Sequence, residues 1–134
     1  MSGLILKLAP NERILINGAV IENGDKRSRI SVKTPNANIL RLRDAIHPGD
    51  AKTPVSRTCY LCQLLLVGEA DENSARRDIL IGIEQLSRAL IDRDSMATLD
   101  AATASTLEGN YYQTLKQLRT LLPREARLLA AARS

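Results

Sequence analysis

The spacing of apolar residues changes near Pro48–Pro54, and this change divides the 134-residue chain into two kinds of structure. Before it, short apolar runs are separated by turn signals, among them Asn17-Gly18 and Asn23-Gly24, which are typical of β-hairpins. After it, apolar residues recur at intervals of three and four, as they do on the buried face of a helix. The sequence therefore predicts an α+β fold: a small antiparallel sheet or sandwich over residues 1–50, then a helical bundle over residues 51–134, packed as one unit.

Two of the five short strands expected in the first half carry arginines at alternating positions. Arg27 and Arg29 share one face of the fourth strand. Arg41 and Arg43 share one face of the fifth, because successive side chains of a strand point to opposite faces. If these strands are neighbours, the four arginines, with Lys26 at the adjoining turn, form a patch that holds phosphates or reads exposed bases. The alternative is a solvated sheet face whose charges prevent edge-to-edge aggregation.

Helix signals dominate the second half. Thr53 is a favoured N-cap residue and Pro54 suits the first helical position, while Gly68 is typical of the position just after a helix. A bundle of four helices and a short basic tail helix is therefore expected. The expected helices cover residues 54–67, 72–92, 95–106 and 109–122, with Pro123 ending the fourth, and residues 124–132 for the tail.

Residues with reactive side chains are few. Cys59 and Cys62 form a C-x-x-C, but they lie inside an expected helix among leucines, whereas redox motifs open a helix so that its dipole lowers the thiol pKa. No second cysteine pair completes a zinc site, so we expect two buried cysteines. The single histidine, His47, is not expected to be catalytic, because the sequence contains no G-x-S-x-G nucleophile elbow with which it could form a triad. The sequence predicts no enzyme, no metal site and no cofactor.

The aromatic content limits the ways in which the chain can bind RNA. The only aromatic residues are Tyr60, Tyr111 and Tyr112, which argues against modules that stack bases on aromatic side chains. Tyrosines at helical spacing are expected at the edge of a core, with the hydroxyl on a partner. The net charge of +4 and a pI near 9.4 permit an acidic partner without demanding one. Any RNA binding must therefore come from basic groups and the backbone.

No segment of the sequence is typical of membrane insertion or export. A strongly apolar run such as Leu64–Val67 is far shorter than the roughly 20 residues that a membrane-spanning helix needs. The N-terminal residues lack the positive region, apolar core and cleavage site of an export signal. We therefore expect a cytoplasmic protein that does not enter a membrane.

Three motifs occur in order along nearly the whole chain. Ile16–Arg27 reads NGAV-x-x-NGD-[KR]-R after its first residue. The other two are Thr53-Pro54 with Arg57 and Tyr60 (TP-x-x-R-x-x-Y), and Tyr111-Tyr112 with Leu115 and Leu118 (YY-x-x-L). Together they resemble the FlbT family of flagellar biosynthesis regulators.

The resemblance implies a post-transcriptional regulator. Members of the family associate with the 5′ untranslated region of flagellin mRNA, repress its translation or promote its decay, and act alongside a second small flagellar protein, FlaF. The alternative is a helical protein-interaction module that binds FlaF or flagellin and affects the mRNA indirectly. The candidate RNA-binding residues are Lys26, Arg27, Arg29, Arg41 and Arg43. The candidate partner-binding residues are Arg57, Tyr60, Tyr111 and Tyr112.

A second resemblance covers only the first half. Leu4-Ile5-Leu6, Glu12, Arg29-Ile30 and Leu42-Arg43-Asp44, with Ile46, are similar in order and spacing to the carbon storage regulator. This resemblance implies a strand-swapped β dimer that binds mRNA leaders, with Arg43 at a position that contacts RNA. Two arginines of that family are replaced here by Leu8 and Ala9. An exposed strand edge would suit a homo-oligomer of this kind.

Overall fold

A computed structural model describes residues 3–133 and confirms the α+β fold, with small antiparallel sheets followed by helices. The chain divides between Ala45 and Ile46 into two compact units. The first, called the β unit below, contains all the strands of the described residues. The second, called the helical unit, contains their five α-helices. Among the described residues, no helix is long and apolar enough to cross a membrane.

The β unit consists of two small antiparallel sheets. In the first, β1 (Leu4–Leu8) pairs with β4 (Ser28–Val32). In the second, β2 (Arg13–Ile16) is the central strand, between β3 (Ala19–Glu22) and β5 (Ile39–Arg41). Strand alternation directs Leu6 and Leu8 of β1, and Ile14 of β2, to one side, where they form a common core. This core contains Leu6, Leu8 and Ile14, with Ile16, Ile30, Val32 and Ile39 packed against it.

One of the two predicted hairpins is confirmed and the other is wrong. Asn17 and Gly18 have φ angles of 48° and 87°, and they connect the paired strands β2 and β3 as a tight turn requires. Asn23-Gly24 joins strands that do not pair with each other, because β3 pairs with β2 and β4 returns to β1. The Asn23 side chain instead donates to the carbonyl oxygens of Ala9 (2.7 Å) and Lys26 (3.0 Å). Its hydrogen bonds thus build a corner between the two sheets.

The predicted strand over residues 39–43 is wrong at its end. β5 stops at Arg41, and Leu42–Asp44 form a 3₁₀ turn. Arg41 lies opposite Ile14, one residue from the start of β2, so almost no partner strand remains beyond it. Arg41 and Arg43 therefore do not share the face of one strand.

Five α-helices form the helical unit. They are α1 (Pro54–Leu66), α2 (Glu72–Ala89), α3 (Arg93–Leu107), α4 (Tyr111–Arg119) and α5 (Leu122–Arg133). Every expected helix occurs, but Pro123 does not end the fourth as predicted. α4 ends at Arg119, and Pro123 lies in the first turn of α5, where its missing N–H is not needed.

Local residue choices set the ends of several helices. Thr53 and Ser56 form a capping box at the start of α1. Asp71 accepts a hydrogen bond from the Ser74 N–H (2.9 Å), and Asp92 accepts one from the Ser95 N–H (3.1 Å). Gly68 has a φ angle of 78°, the left-handed conformation that commonly follows a helix.

Cys59 and Cys62 lie on the buried side of α1, fully inaccessible to solvent. Both are free thiols. Burial raises the pKa of Cys59 to about 12 and also raises the pKa of Cys62, because a thiolate is poorly solvated there. The structure confirms the expected buried cysteines, which act as small apolar side chains of the core.

Candidate nucleic-acid interface

A groove of about 580 Å³ in the β unit is lined mainly by basic side chains. We call it the basic groove. Leu8, Ala9 and Ser28 form part of its wall, and none of the described residues that line it is acidic. Its basic residues are Lys7, Arg27, Arg29, Arg41 and Arg43.

Strand pairing brings these residues together from distant parts of the chain. Lys7 of β1 lies directly opposite Arg29 of β4 in the antiparallel register. Arg27 immediately precedes β4, Arg41 ends β5, and Arg43 lies in the 3₁₀ turn that follows. The four arginines predicted to form a patch therefore do line one groove.

Two differences from the predicted set are apparent. Lys26 is exposed and does not belong to the groove lining. Lys7 does belong to it, and sequence reasoning missed this residue. Its signal was the alternation of Leu6, Lys7 and Leu8, in which the two leucines are buried and the lysine faces outward. That alternation, however, does not show which strand pairs with β1, so it could not predict that Lys7 lies opposite Arg29.

Glu12 organises one side of the groove, although its side chain is only 4% exposed. Arg41 binds its carboxylate through two hydrogen bonds, from Nε to Oε2 (2.7 Å) and from Nη2 to Oε1 (2.8 Å). The Ala9 N–H also donates to Oε1 (2.9 Å). The bonds from Arg41 and then that from Ala9 lower the pKa of Glu12 to about 2. Glu12 is therefore ionised and holds Arg41 in one orientation.

The basic residues of the groove differ in how strongly they are engaged. Besides binding Glu12, Arg41 donates from Nη2 to the carbonyl oxygen of Lys7 (2.6 Å). The Arg43 side chain is 58% exposed, and its Nε lies 3.8 Å from Glu12 Oε2 and 3.9 Å from Asp44 Oδ1. Lys7, Arg27 and Arg29 are exposed to solvent. The groove thus combines one fixed guanidinium with several accessible cations.

The net charge of the chain is concentrated in the β unit. Residues 1–45 contain 8 Lys/Arg and 4 Asp/Glu, a net charge of +4, which is the net charge of the whole chain. Residues 46–134 contain 11 of each and are neutral overall. Electrostatic attraction of a polyanion therefore acts mainly on the β unit.

The tyrosine pair of α4 has a structural role inside the helical unit. The buried Tyr111 hydroxyl accepts a hydrogen bond from Arg76 Nε (3.0 Å) and donates one to Glu72 Oε1 (3.0 Å), which fastens α4 to the start of α2. Tyr112 is half-buried, with Lys116 Nζ 5.6 Å from the centre of its ring. These contacts agree with tyrosines at the edge of a core.

The candidate partner-binding residues on α1 are more accessible than Tyr111. Arg57 is exposed and donates from Nη1 to the carbonyl oxygen of Lys52 (3.0 Å). It lines a second groove, of about 310 Å³, to which α1 and α2 contribute. Tyr60 is half-buried. The role of Arg57, Tyr60, Tyr111 and Tyr112 in binding a partner stays a prediction.

Among the described residues, no group of three or more histidine, cysteine, aspartate or glutamate side chains is placed to hold a metal ion. His47 is exposed next to a short 3₁₀ turn over Pro48–Asp50. The basic groove itself offers charge attraction and hydrogen-bond donation to an anion.

Comparison with known proteins gives the family. The family model described as "Flagellar protein FlbT" matches residues 4–129. The chain belongs to the FlbT family. This confirms the resemblance inferred from the three motifs, whereas no solved structure matches the chain significantly.

Relatives in the FlbT family align over most of their own length. The "Probable flagellum biosynthesis repressor protein FlbT" of Rhodopseudomonas palustris (strain TIE-1) is 36% identical over 128 residues, 95% of this chain and 98% of the relative. "Probable flagellum biosynthesis repressor protein FlbT 1" of Bradyrhizobium diazoefficiens is 30% identical, covering 93% of this chain and 84% of the relative. The "Probable flagellum biosynthesis repressor protein FlbT" of Caulobacter vibrioides is 24% identical, covering 91% of this chain and 86% of the relative. These names describe a regulator rather than an enzyme.

Proposed function

We propose that this protein is a post-transcriptional repressor of flagellum biogenesis that binds the 5′ untranslated region of flagellin mRNA through the basic groove. Family membership supports the flagellar role, because FlbT relatives are named as flagellum biosynthesis repressors. The observation that supports RNA binding is the convergence of five basic residues on one groove whose described lining holds no acid. On this proposal the protein acts in the cytoplasm, where it blocks translation or promotes decay of the message.

The composition of the groove defines the mode of binding. Guanidinium groups donate paired hydrogen bonds to phosphate oxygens and also stack on bases, whereas an ammonium acts as a point charge. None of the described residues that line the groove is aromatic, so the groove itself offers no ring on which a base could stack. Binding of this kind depends strongly on salt, because phosphate contacts release counterions. Decay of the message would then require a separate nuclease.

The test is binding of a flagellin leader RNA to a double variant, Arg27→Gln/Arg29→Gln. We expect its affinity to fall, together with the slope of affinity against salt, since two phosphate contacts are lost. The matched control is Arg77→Gln/Arg127→Gln, which removes two exposed arginines of the helical unit. Equal affinities of the two variants and the unaltered protein would contradict RNA binding by the groove.

A second candidate function is supported by the groove to which α1 and α2 contribute. It includes Arg57 and Ile81, and the apolar side chain of Ile81 is 46% exposed there. In this case the helical unit would bind FlaF or flagellin, and the effect on mRNA would be indirect. Recovery of such a protein after RNase treatment, with no enrichment of leader RNA, would favour this candidate.

A further inference from the structure

Lys7 and Arg29 form a cross-strand pair of like charges. They are directly opposite each other in the register of β1 and β4, and both are exposed. Side chains opposite each other on antiparallel strands have Cβ atoms about 4.5–5.5 Å apart, and like charges at such positions destabilise a sheet. An anion bound between the two side chains would remove this repulsion.

Glu12, the buried acid beside the groove, is engaged by groups other than this pair. Both carboxylate oxygens of Glu12 accept hydrogen bonds from Arg41, at 2.7 and 2.8 Å, and one of them also accepts from the Ala9 N–H. Arg27, two residues before Arg29, adds a third exposed cation to the same groove. The local charge of Lys7, Arg27 and Arg29 is thus left for an external anion.

We propose that Lys7 and Arg29 form a binding site for the phosphodiester backbone of RNA, with Arg27 beside them. This inference rests on the proposed function and names the Lys7–Arg29 pair as the phosphate contact within the groove. Arg41 is not part of the pair, because Glu12 already engages it. The contact is to phosphate oxygens, so it contributes affinity without reading sequence.

The experiment measures the affinity of Lys7→Gln and Arg29→Gln for a flagellin leader RNA and for a scrambled RNA of the same length. Each substitution is expected to reduce affinity by about threefold, and to reduce the slope of log affinity against log salt by about 0.7, for both RNAs alike. Lys33→Gln is the matched control, because it removes an exposed lysine of the β unit that lines a different cavity. The melting temperature of each variant shows that it is folded.

The possible results separate this inference from the proposed function. If the unaltered protein binds RNA and the two groove variants behave like Lys33→Gln, the phosphodiester site is wrong while RNA binding stands. If the unaltered protein binds neither RNA, the proposed function fails and this inference fails with it. A loss restricted to the leader RNA would assign base reading to the pair and would also overturn the proposal. Direct binding of inorganic phosphate by the unaltered protein, weakened in both groove variants and without any RNA binding, would assign the site to the free anion instead.

Discussion

Glu12 and Arg41 lie 29 residues apart in the chain and form a doubly hydrogen-bonded ion pair, with N···O distances of 2.7 and 2.8 Å. The carboxylate is almost fully buried, whereas the guanidinium is 21% exposed at the basic groove. The same guanidinium binds the carbonyl oxygen of Lys7 on β1. One side chain thus connects β5, the turn before β2 and the strand that carries the groove lysine.

The first prediction concerns acid stability. The pKa of Glu12 is about 2 in the folded protein, below its ordinary value of 4.5, so its ionised form contributes stability that is fully present above about pH 4.5. That contribution is lost as the pH falls from about 4.5 to 2. We expect Glu12→Gln to lower the melting temperature at neutral pH and to flatten its decline across this window. Thermal melts between pH 7 and pH 2 measure both effects.

Glu22→Gln is the control for this prediction. Glu22 also pairs with an arginine, Arg13, at 2.7 Å, but its side chain is 54% exposed. Ion pairs in solvent contribute little to stability, so this variant should melt close to the unaltered protein at every pH. Equal behaviour of the two variants would show that burial of Glu12 has no energetic consequence.

The second prediction concerns the crossing of α1 and α2 at Gly82. A Cβ atom added there would lie 2.6 Å from Oγ1 of the buried Thr58. We expect Gly82→Ala to destabilise the protein by about 1–3 kcal/mol through overpacking, although alanine favours helices more than glycine does. Urea unfolding at equilibrium measures the change.

A double variant tests whether the contact with Thr58 is the cause. Thr58→Ala removes the clashing hydroxyl and methyl group, so Gly82→Ala should cost less in that background than alone. Strict additivity of the two free-energy changes would rule out the steric explanation.

The third prediction concerns thiol reactivity. Cys59 and Cys62 are inaccessible and burial raises both thiol pKa values, so the reactive thiolate is scarce and shielded. A thiol-reactive dye should label the native protein only as fast as the helical unit opens, and should label both cysteines at once in denaturant. Rapid labelling of native protein at neutral pH would show that the cysteines are not part of the core.

The fourth prediction concerns Tyr111. Phenylalanine keeps the ring but loses the hydrogen bonds to Arg76 and Glu72, so Tyr111→Phe should reduce the free energy of unfolding by about 1 kcal/mol. The salt dependence of RNA binding should not change, because these contacts lie in the helical unit. Chemical denaturation and RNA titration of the same sample test both statements.

Local sequence signals accounted for most of the secondary structure. The capping residue Thr53 and the stop at Gly68 predicted the ends of α1, because caps act within a few residues of the chain. The Asn17-Gly18 turn was equally readable, since both residues must adopt positive φ. The prediction that Pro123 ends the fourth helix was wrong, because proline suits the first turn of a helix as well as the position after one.

The sequence by itself determined the family, the elements and the presence of a basic set in the first half. Only the tertiary structure decided which of these basic side chains line the same groove. Asn23-Gly24 reads as a hairpin locally, yet β4 pairs with β1, and this pairing brings Lys7 opposite Arg29. Strand register depends on burying a common core and on ion pairs such as that of Glu12 with Arg41, whose partners are distant in the chain. No local pattern contains that information, and the groove therefore exists only in the folded β unit.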